Sequence, residues 1–367
     1  MLKDRIQSVD ILRGITIAAM ILVNTPGTWS HVYAPFLHAE WHGLTPTDLV
    51  FPFFLFIVGC SIAFAYRNKQ PTGKTYWKIS SRTLKLIGLG LFLGAFTVTF
   101  PFFKDFADIR FPGVLQRIGV VFFFAAIIAL NSNWKVIVGV VASLLAGYWI
   151  WMGFIPLPNG ELPTYERAPN NWAMYIDKAI LGSHTWQPDY DPEGILSTLP
   201  SIAQALIGVL VGRLLISTKS QREKMQLMAA GGSLLVSIGV IWDYFAFPMN
   251  KALWTSSFTL VTAGAATICL LVIYYLTDVR KIQFGELFKR VGANALILYF
   301  LSSFISKLFY SIKIGEDTSI HGWLYQTIYV QEFLPPKLSS LLYGLSVMAF
   351  YLWLGNLLYR RNIFFKV

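Results

Sequence analysis

The sequence predicts an all-α membrane protein, a single bundle of about ten transmembrane helices that extends over residues 1–367. Three observations predict this fold class. The chain is 55% hydrophobic and has a mean hydropathy of +0.55. Only 13% of its residues are charged, about half the share that is usual in a soluble domain. Its apolar residues are also gathered into runs of about 20, the length at which a helix crosses a bilayer.

Ten segments are long and apolar enough to be predicted as spans. They are Val9–Trp29, Asp48–Tyr66, Lys78–Phe100, Gly113–Leu130, Lys135–Phe154, Glu193–Ile216, Lys224–Phe245, Leu253–Thr277, Arg290–Tyr310 and Leu338–Tyr359. The first has no small-residue cleavage site after it, so we expect it to remain in the protein as an uncleaved span. An even number of spans places both termini on one side of the membrane.

The distribution of lysine and arginine predicts that this side is the cytoplasm. With both termini there, 21 of the 30 basic residues fall on the cytoplasmic side, including Lys3, Arg5 and Lys366 near the chain ends. Such an asymmetry follows the positive-inside rule. It accounts for the net charge of +11 without a nucleic-acid partner. Basic cytoplasmic rims are also a natural place for an anionic cytosolic cofactor, and His38 and His42 are then on the outer side.

The first span carries polar residues at both of its ends. Asp10 and Arg13 are three residues apart and share a helix face, so they can pair. They either form an ion pair that holds helices together or belong to a cofactor-binding entrance. Asn24 lies about 21 Å further along the helix, near the outer end. It is either an interhelical hydrogen-bonding group or a donor to a reacting carbonyl.

The stretch before the second span concentrates titratable groups. His38, Glu40, His42 and Asp48 lie within eleven residues, together with Trp41. Polar groups at a membrane boundary are costly unless they are paired or used, and a histidine exchanges protons near neutral pH. A solvated loop is the alternative to a reacting site. No histidine spacing here resembles a zinc pattern, so we expect no metal.

Asp48 has a structural and a functional interpretation. Thr45 or Thr47 is expected to cap the second span, and an acidic residue in the first turn is favoured by the helix dipole. This capping role is the main expectation for Asp48, which could also orient one of the histidines.

Further polar residues occur inside or beside predicted spans. Gln116 and Arg117 lie just inside the fourth span, where an arginine costs roughly 2.5–3.5 kcal/mol on insertion scales, so Arg117 is expected to face a polar cavity. Glu193 begins the sixth span, where acidic residues are often dipole-favoured caps. Asn294 lies near the inner end of the ninth span. Together these residues suggest a polar passage across the bundle.

Two long outer loops, Ile155–Pro192 and Lys313–Lys337, are too aromatic for simple linkers. Trp172 and Trp186 in the first could present flat rings to a sugar, or they could pack as a cap over the bundle. The two cysteines, Cys60 and Cys269, both lie in apolar runs, so a disulfide is not expected.

Six stretches, in order across nearly the whole chain, resemble the heparan-α-glucosaminide N-acetyltransferase family and its bacterial NagX-like relatives. They are SVDILRGITIAAMILVN, LHAEWHGLTPTDLVFPFFLFIVG, GVLQRIG, DPEGILSTLPSIAQALIGVLVG, NKALWTSSF and GANALILYF. The resemblance implies that an acetyl group passes from cytosolic acetyl-CoA to the amine of a glucosamine-type sugar on the outer side. The family's catalytic histidine matches His38 and its asparagine matches Asn24. The chain departs from the pattern in lacking the lysosomal enzyme's N-terminal domain and in its longer Asn24–His38 connection.

The resemblance assigns expected roles to the polar residues. His38, Asn24 and Asp48 are the catalytic candidates, with His38 acting either as a general base or as a covalent acetyl carrier. The candidates for the acetyl-CoA site are Asp10, Arg13, Gln116, Arg117 and Asn294. The candidates for the acceptor site are His42, Glu40, Trp41, Trp172, Trp186 and Glu193.

The expected partners are acetyl-CoA as co-substrate, an amino-sugar or glycan acceptor and the lipid bilayer of a bacterial inner membrane, with a homodimer left open. A transporter for amino sugars or small glycans is the alternative function.

Overall fold

The computed structural model describes residues 6–314 and 318–365. Lys3, Arg5 and Lys366, which contribute to the predicted charge asymmetry, lie outside the described residues. Within those ranges the chain is an all-α bundle with one two-stranded hairpin, β1 (Lys313–Ile314) and β2 (Thr318–Ser319). The α-helices are α1 (Gln7–Asn24), α2 (Val50–Ala65), α3 (Gly73–Ala95), α4 (Val114–Asn131), α5 (Trp134–Phe154), α6 (Trp172–Leu181), α7 (Thr198–Leu215), α8 (Gln221–Phe245), α9 (Ser256–Tyr274), α10 (Glu286–Gly292), α11 (Ala295–Ser311), α12 (Ile320–Leu324) and α13 (Pro336–Arg360).

The polytopic membrane fold is confirmed, and every predicted span coincides with a helix or a pair of helices. In the described part of the chain, eight helices are long and apolar enough to cross a membrane. A ninth crossing is formed if α10 and α11, which meet at an angle of 78°, count as one broken span. The tenth, α3, has 23 residues but carries Lys74, Lys78, Arg82 and Lys85 in its first turns, so it is less apolar than the others.

Several span boundaries differ from the prediction. Helix α1 ends at Asn24 rather than Trp29, because Pro26 and Gly27 cannot continue it favourably. Helix α7 begins at Thr198 rather than Glu193, since the preceding residues form turns that hold buried charges. Both cysteines are free, as predicted.

Close crossings between helices depend on glycine at two places. A Cβ on Gly59 of α2 would lie 1.9 Å from the carbonyl oxygen of Ala205 in α7, and one on Gly208 would lie 2.0 Å from that of Phe56. A Cβ on Gly14 of α1 would likewise meet Phe288 of α10. Small residues let helix backbones approach in this way within membranes, and these contacts fix α2 and α1 at the centre of the bundle.

The core has two parts. The larger one fills the bundle and includes fully buried residues such as Leu55, Leu206 and Ala263. The smaller one lies beneath the loop between α5 and α7, where Trp172 packs with Tyr148 and their neighbours. The loop therefore covers this end of the bundle as a packed layer rather than hanging free of it.

The two described chain ends lie at the other end of the bundle. The backbone N–H of Gln7 donates to Asp278, 3.0 Å away. Asn294, at the break between α10 and α11, donates to the carbonyl of Ile363 and accepts from the N–H of Phe365. That this end faces the cytoplasm stays a prediction.

Candidate functional site

Three ionisable side chains from two distant segments meet where α2 begins. His38 Nδ1 lies 2.6 Å from Asp48 Oδ1. Lys251, in the turn before α9, places its Nζ 3.0 Å from both ring nitrogens of His38 and 3.8 Å from Asp48 Oδ1. The carboxylate is buried, whereas about half of the His38 side chain is exposed. We refer to His38, Asp48 and Lys251 as the outer cluster.

The local chain fold holds Asp48 in place. Its Oδ2 accepts hydrogen bonds from the backbone N–H groups of Ala39 and Thr45 and from the Thr45 hydroxyl. Thr45 and Asp48 form a reciprocal capping box on the short 3₁₀ turn that leads into α2, which confirms Thr45 as the cap. With Oδ2 occupied, Oδ1 is directed at the histidine.

This arrangement fixes the chemistry available to His38. An ionised carboxylate only accepts hydrogen bonds, so the proton of a neutral His38 sits on Nδ1 and donates to Asp48. The lone pair is then on Nε2, on the half-exposed ring. The Asp48 contact therefore orients the imidazole, in addition to its place in the capping box; that the imidazole acts as a base stays a prediction.

Lys251 was not among the sequence-predicted site residues. Burial lowers the pKa of its ammonium group, although the carboxylates of Asp48 and Glu193 act in the opposite direction. A signal was available: this lysine lies between two apolar segments, within the NKALWTSSF stretch. Its contact with His38 spans 213 positions of sequence, and no local pattern predicts such a contact.

The rest of the His38 loop docks on the long loop between α5 and α7. Trp41 donates from Nε1 to the carbonyl of Tyr165, 2.9 Å away, and packs edge-on against Tyr190. His42 Nε2 lies 3.2 Å from Glu166 Oε1, while Glu40 is exposed. His42 is thus bound to the covering layer and not to Asp48.

A second charged group surrounds Glu193. Arg110 makes two hydrogen bonds to Asp191, at 2.7 and 2.5 Å, and a further one to Glu193. The guanidinium also lies 5.2 Å from the ring centroid of Trp186, whose side chain is 62% exposed. Trp172, by contrast, is buried and donates to the carbonyl of Ile155.

Asp177 of α6 lies beneath this group and is buried. Burial raises the pKa of its carboxyl to about 6, even though the backbone N–H groups of Ile195 and Asp191 donate to it. A buried carboxylate held only by backbone donors has a structural role here, because it anchors the turn that carries Asp191 and Glu193.

Gln116 and Arg117 lie at this same end of the bundle. Arg117 is buried and donates to the carbonyls of Ser197 and Gly194 and to the hydroxyls of Ser197 and Ser201. Gln116 donates to the carbonyl of Phe111. Both residues also line a mainly apolar cleft of about 740 Å³ between α3, α4, α5 and α7. The prediction that Arg117 faces a polar cavity was wrong: the cleft it lines is mainly apolar, and its polar partners are backbone and hydroxyl groups at and before the start of α7.

A cavity of about 390 Å³ opens at the opposite end, among α1, α2, α3 and the break after α10. Arg13, Arg82 and Asn294 line it, and we call it the basic cavity. Arg13 pairs with Asp10 at 2.8 Å and donates to Ser61 at 2.7 Å. The Nε of Arg82 is buried and has no hydrogen-bond partner among the described residues.

The basic cavity follows one face of α2 toward the outer cluster. Its α2 lining residues are Phe54, Val58, Ser61, Ile62 and Ala65, which recur every three or four positions. From Ala65 to Phe54 the helix rises about 16 Å, and from Phe54 to Asp48 about 9 Å remain.

Three buried rings, those of Phe51, Trp254 and Phe258, pack together near the start of α2, where Phe51 lies between Phe54 of the cavity and Asp48 along the helix; we call them the aromatic barrier. Its rings are buried and pack edge-on, with centroids 5.2 and 5.5 Å apart. Trp254 is held at φ 51°, and its indole N–H has no partner in the described structure. A strained, unsatisfied residue of this kind is typical of functional sites.

The predicted site residues thus separate into two groups about the length of α2 apart. Three of the predicted cofactor residues, Asp10, Arg13 and Asn294, are at the basic cavity. The residues at the outer end are Gln116, Arg117, His38, Glu40, Trp41, His42, Asp48, Trp172, Trp186 and Glu193. Asn24 ends α1 with an exposed side chain that makes no hydrogen bond to the described residues. No group of three or more His, Cys, Asp or Glu suited to a metal is found in residues 6–314 and 318–365.

Comparison with known proteins identifies the family. The family model described as "Heparan-alpha-glucosaminide N-acetyltransferase, catalytic" matches residues 5–241, a segment that contains Arg13, His38 and Asp48. The human Heparan-alpha-glucosaminide N-acetyltransferase is 28% identical over 424 residues, covering 100% of this chain and 60% of the relative. The mouse protein of that name is 27% identical over 422 residues, covering 99% of this chain and 61% of the relative.

The chain spans about three fifths of the length of these curated relatives. The family model nevertheless covers well over half of the chain, including one end of the basic cavity and two members of the outer cluster. The chain therefore belongs to the heparan-α-glucosaminide N-acetyltransferase catalytic family.

Proposed function

We propose that the chain is a membrane-embedded acetyltransferase that moves an acetyl group from cytosolic acetyl-CoA to the amine of a glucosamine-type sugar on the outer side. One observation carries the proposal. The basic cavity extends along α2 to Phe54, about 9 Å from Asp48 of the outer cluster. A donor bound in the cavity would then have to extend only its narrow thioester-bearing arm past the aromatic barrier to bring the acetyl group to His38.

The basic cavity fits an acyl-CoA donor. Coenzyme A is polyanionic, and guanidinium groups bind phosphates by paired, charge-assisted hydrogen bonds. Arg13 and Arg82 supply such groups, and the partnerless Nε of Arg82 is a donor left for a ligand. Asn294, whose amide holds the C-terminal segment, completes this wall. When bound, acetyl-CoA supplies an acyl group activated as a thioester.

The outer cluster fits deprotonation of an amine. His38 Nε2 accepts the proton that the acceptor nitrogen loses, while Asp48 holds Nδ1 and stabilises the imidazolium that forms. The same Nε2 is the atom that would attack in the covalent route. The Asp48 contact supports both routes, because it leaves Nε2 as the reactive nitrogen in each.

The negative charge that develops on the acyl oxygen needs a donor nearby. Lys251 is the candidate that the geometry favours, because its ammonium contacts His38 directly. Asn24 is the residue implied by family resemblance, but its side chain points into the exposed region at the end of α1. We therefore assign the larger share of this stabilisation to Lys251.

The acceptor site is proposed to lie between the His38 loop and the long loop after α5. Trp41, Tyr190 and the exposed Trp186 present rings there, and Glu166 and Glu193 provide carboxylates that suit a cationic amine. The glucosamine class of acceptor comes from the names of the relatives. The proposed location is the bacterial inner membrane, with the basic cavity facing the cytosol.

Reconstituted vesicles separate this function from a transporter. Acetyl-CoA is supplied on one side and a labelled glucosamine glycoside on the other. The proposal expects acetylated sugar to appear on the sugar's own side, with no unmodified sugar crossing. Passage of unmodified sugar without acetylation would establish the transporter instead. The buried aromatic barrier favours the first outcome, since it closes the path to a solute as large as a sugar.

A further inference from the structure

Lys251 holds the position that an acceptor amine needs. Its Nζ lies 3.0 Å from His38 Nε2, the atom assigned to proton removal or to acyl transfer. It also lies within 4 Å of the Asp48 carboxylate, which would hold an incoming ammonium in the same way. The chain thus places one of its own primary amines beside the base.

We propose that Lys251 is a site of self-acetylation, modified by the chain's own donor when no sugar acceptor is bound. The proposal rests on the acetyltransferase function proposed above. In the step, the Lys251 ammonium loses a proton to His38, and its nitrogen attacks the acetyl carbonyl. The C–S bond breaks as the C–N bond forms. Acetyl-lysine and free coenzyme A are the products, with one net proton released.

The geometry singles out this lysine from the others of the outer region. Lys337 is exposed, and its ammonium lies 6.0 Å from the centroid of the Tyr33 ring. Lys178, in the last turn of α6, is likewise on the surface. In the described part of the chain, neither lysine forms a hydrogen bond to a histidine, whereas Lys251 does. Burial also favours the neutral, nucleophilic form of Lys251, since it lowers the pKa of its ammonium group.

Acetylation would change the outer cluster itself. It removes the cation that contacts His38 and Asp48, and it fills the space between them with an amide. The modified chain should therefore transfer acetyl groups more slowly. A bound acceptor should protect Lys251, because its amine competes for the same place beside Nε2.

The test uses the full chain in lipid nanodiscs with isotope-labelled acetyl-CoA and no sugar. Peptide mass spectrometry follows acetyl occupancy at each lysine with time. We expect labelling of Lys251 at least ten times faster than that of Lys337, and a severalfold slower rate when glucosamine glycoside is added. His38→Gln, which keeps a polar side chain of similar size, should abolish labelling of Lys251 only. Lys251→Arg serves as the blank for the labelled peptide.

Each contrary outcome has a distinct meaning. If the chain acetylates added sugar while Lys251 stays unlabelled, self-acetylation is excluded and the proposed function stands. Equal labelling of Lys251 and Lys337, or labelling that persists in folded His38→Gln, would show ordinary solution chemistry and overturn the inference. If neither sugar nor Lys251 is acetylated, the proposed function fails together with it.

Discussion

The two ends of α2 differ in how their charged groups are satisfied. At the outer end, Asp48 has both oxygens engaged, and the two terminal nitrogens of Arg117 make four hydrogen bonds, although its Nε is buried without a partner among the described residues. At the basic cavity, Arg82 keeps a buried N–H and makes no hydrogen bond to the described residues, whereas Arg13 is paired with Asp10. We therefore propose that the charges of the outer end position a base, and that Arg82 at the other end is available to an anionic ligand.

The largest loss of activity is expected from a change at His38. His38→Ala should reduce kcat by 10²–10⁴-fold, the usual contribution of a general base, which is about 3–5 kcal/mol of barrier. Acetyl-CoA binding should be retained, because the basic cavity is unchanged. Turnover and acetyl-CoA affinity are measured on the same preparation.

His42→Ala is the matched control, since His42 is four residues away but contacts Glu166 and not Asp48. It should lose much less activity. Normal turnover in His38→Ala together with an inactive His42→Ala would move the reacting base to His42.

At Arg82 the expected loss is in the affinity for acetyl-CoA and not in kcat. Arg82→Met keeps the apolar stem but removes the guanidinium, so acetyl-CoA affinity should fall about 10–100-fold, as when a charged hydrogen bond worth about 1.5–3 kcal/mol is lost. The kcat at saturating donor should change little. Lys85→Met, an exposed residue on the same helix, is the control. Equal losses in both variants would point to general surface charge rather than to the basic cavity.

Trp186 tests whether the outer end also binds the acceptor. Trp186→Ala should raise the KM for the sugar severalfold and leave that for acetyl-CoA unchanged, because an exposed aromatic contact is worth about 1 kcal/mol. Parallel rises in both KM values would instead indicate that the ring stabilises the covering layer through Arg110.

At Asp177 the expected effect is on stability and not on activity. Its pKa of about 6 exceeds that of an unfolded aspartate, so the folded chain binds more protons between pH 4 and 6. The contribution of this carboxyl to the free energy of unfolding therefore falls as the pH rises through that window, by at most about 2–3 kcal/mol. When the pH is lowered from 7 to 5, the Tm of the wild type should rise relative to the Tm of Asp177→Asn. A constant difference in Tm would contradict the raised pKa.

Features encoded by neighbouring residues could be predicted from the sequence. Helix positions follow from apolar runs, because each span must satisfy its own backbone hydrogen bonds in the membrane. The His38–Asp48 contact joins residues ten apart around one capped turn, so it was within reach of local reasoning. The boundary of α7 was misplaced because its first turns are held by Arg117 and Asp177, which are distant in sequence.

What the sequence by itself determined is the all-α membrane fold, its family and the histidine beside the second span. The tertiary structure alone decided that Lys251 contacts His38, that Arg82 and Arg13 line one cavity, and that Gln116 and Arg117 belong to the outer end of the bundle. The physical reason is that hydropathy records only whether a segment is buried. Which faces of the buried helices meet is set by packing at glycines such as Gly59 and Gly208, and that packing joins residues hundreds of positions apart.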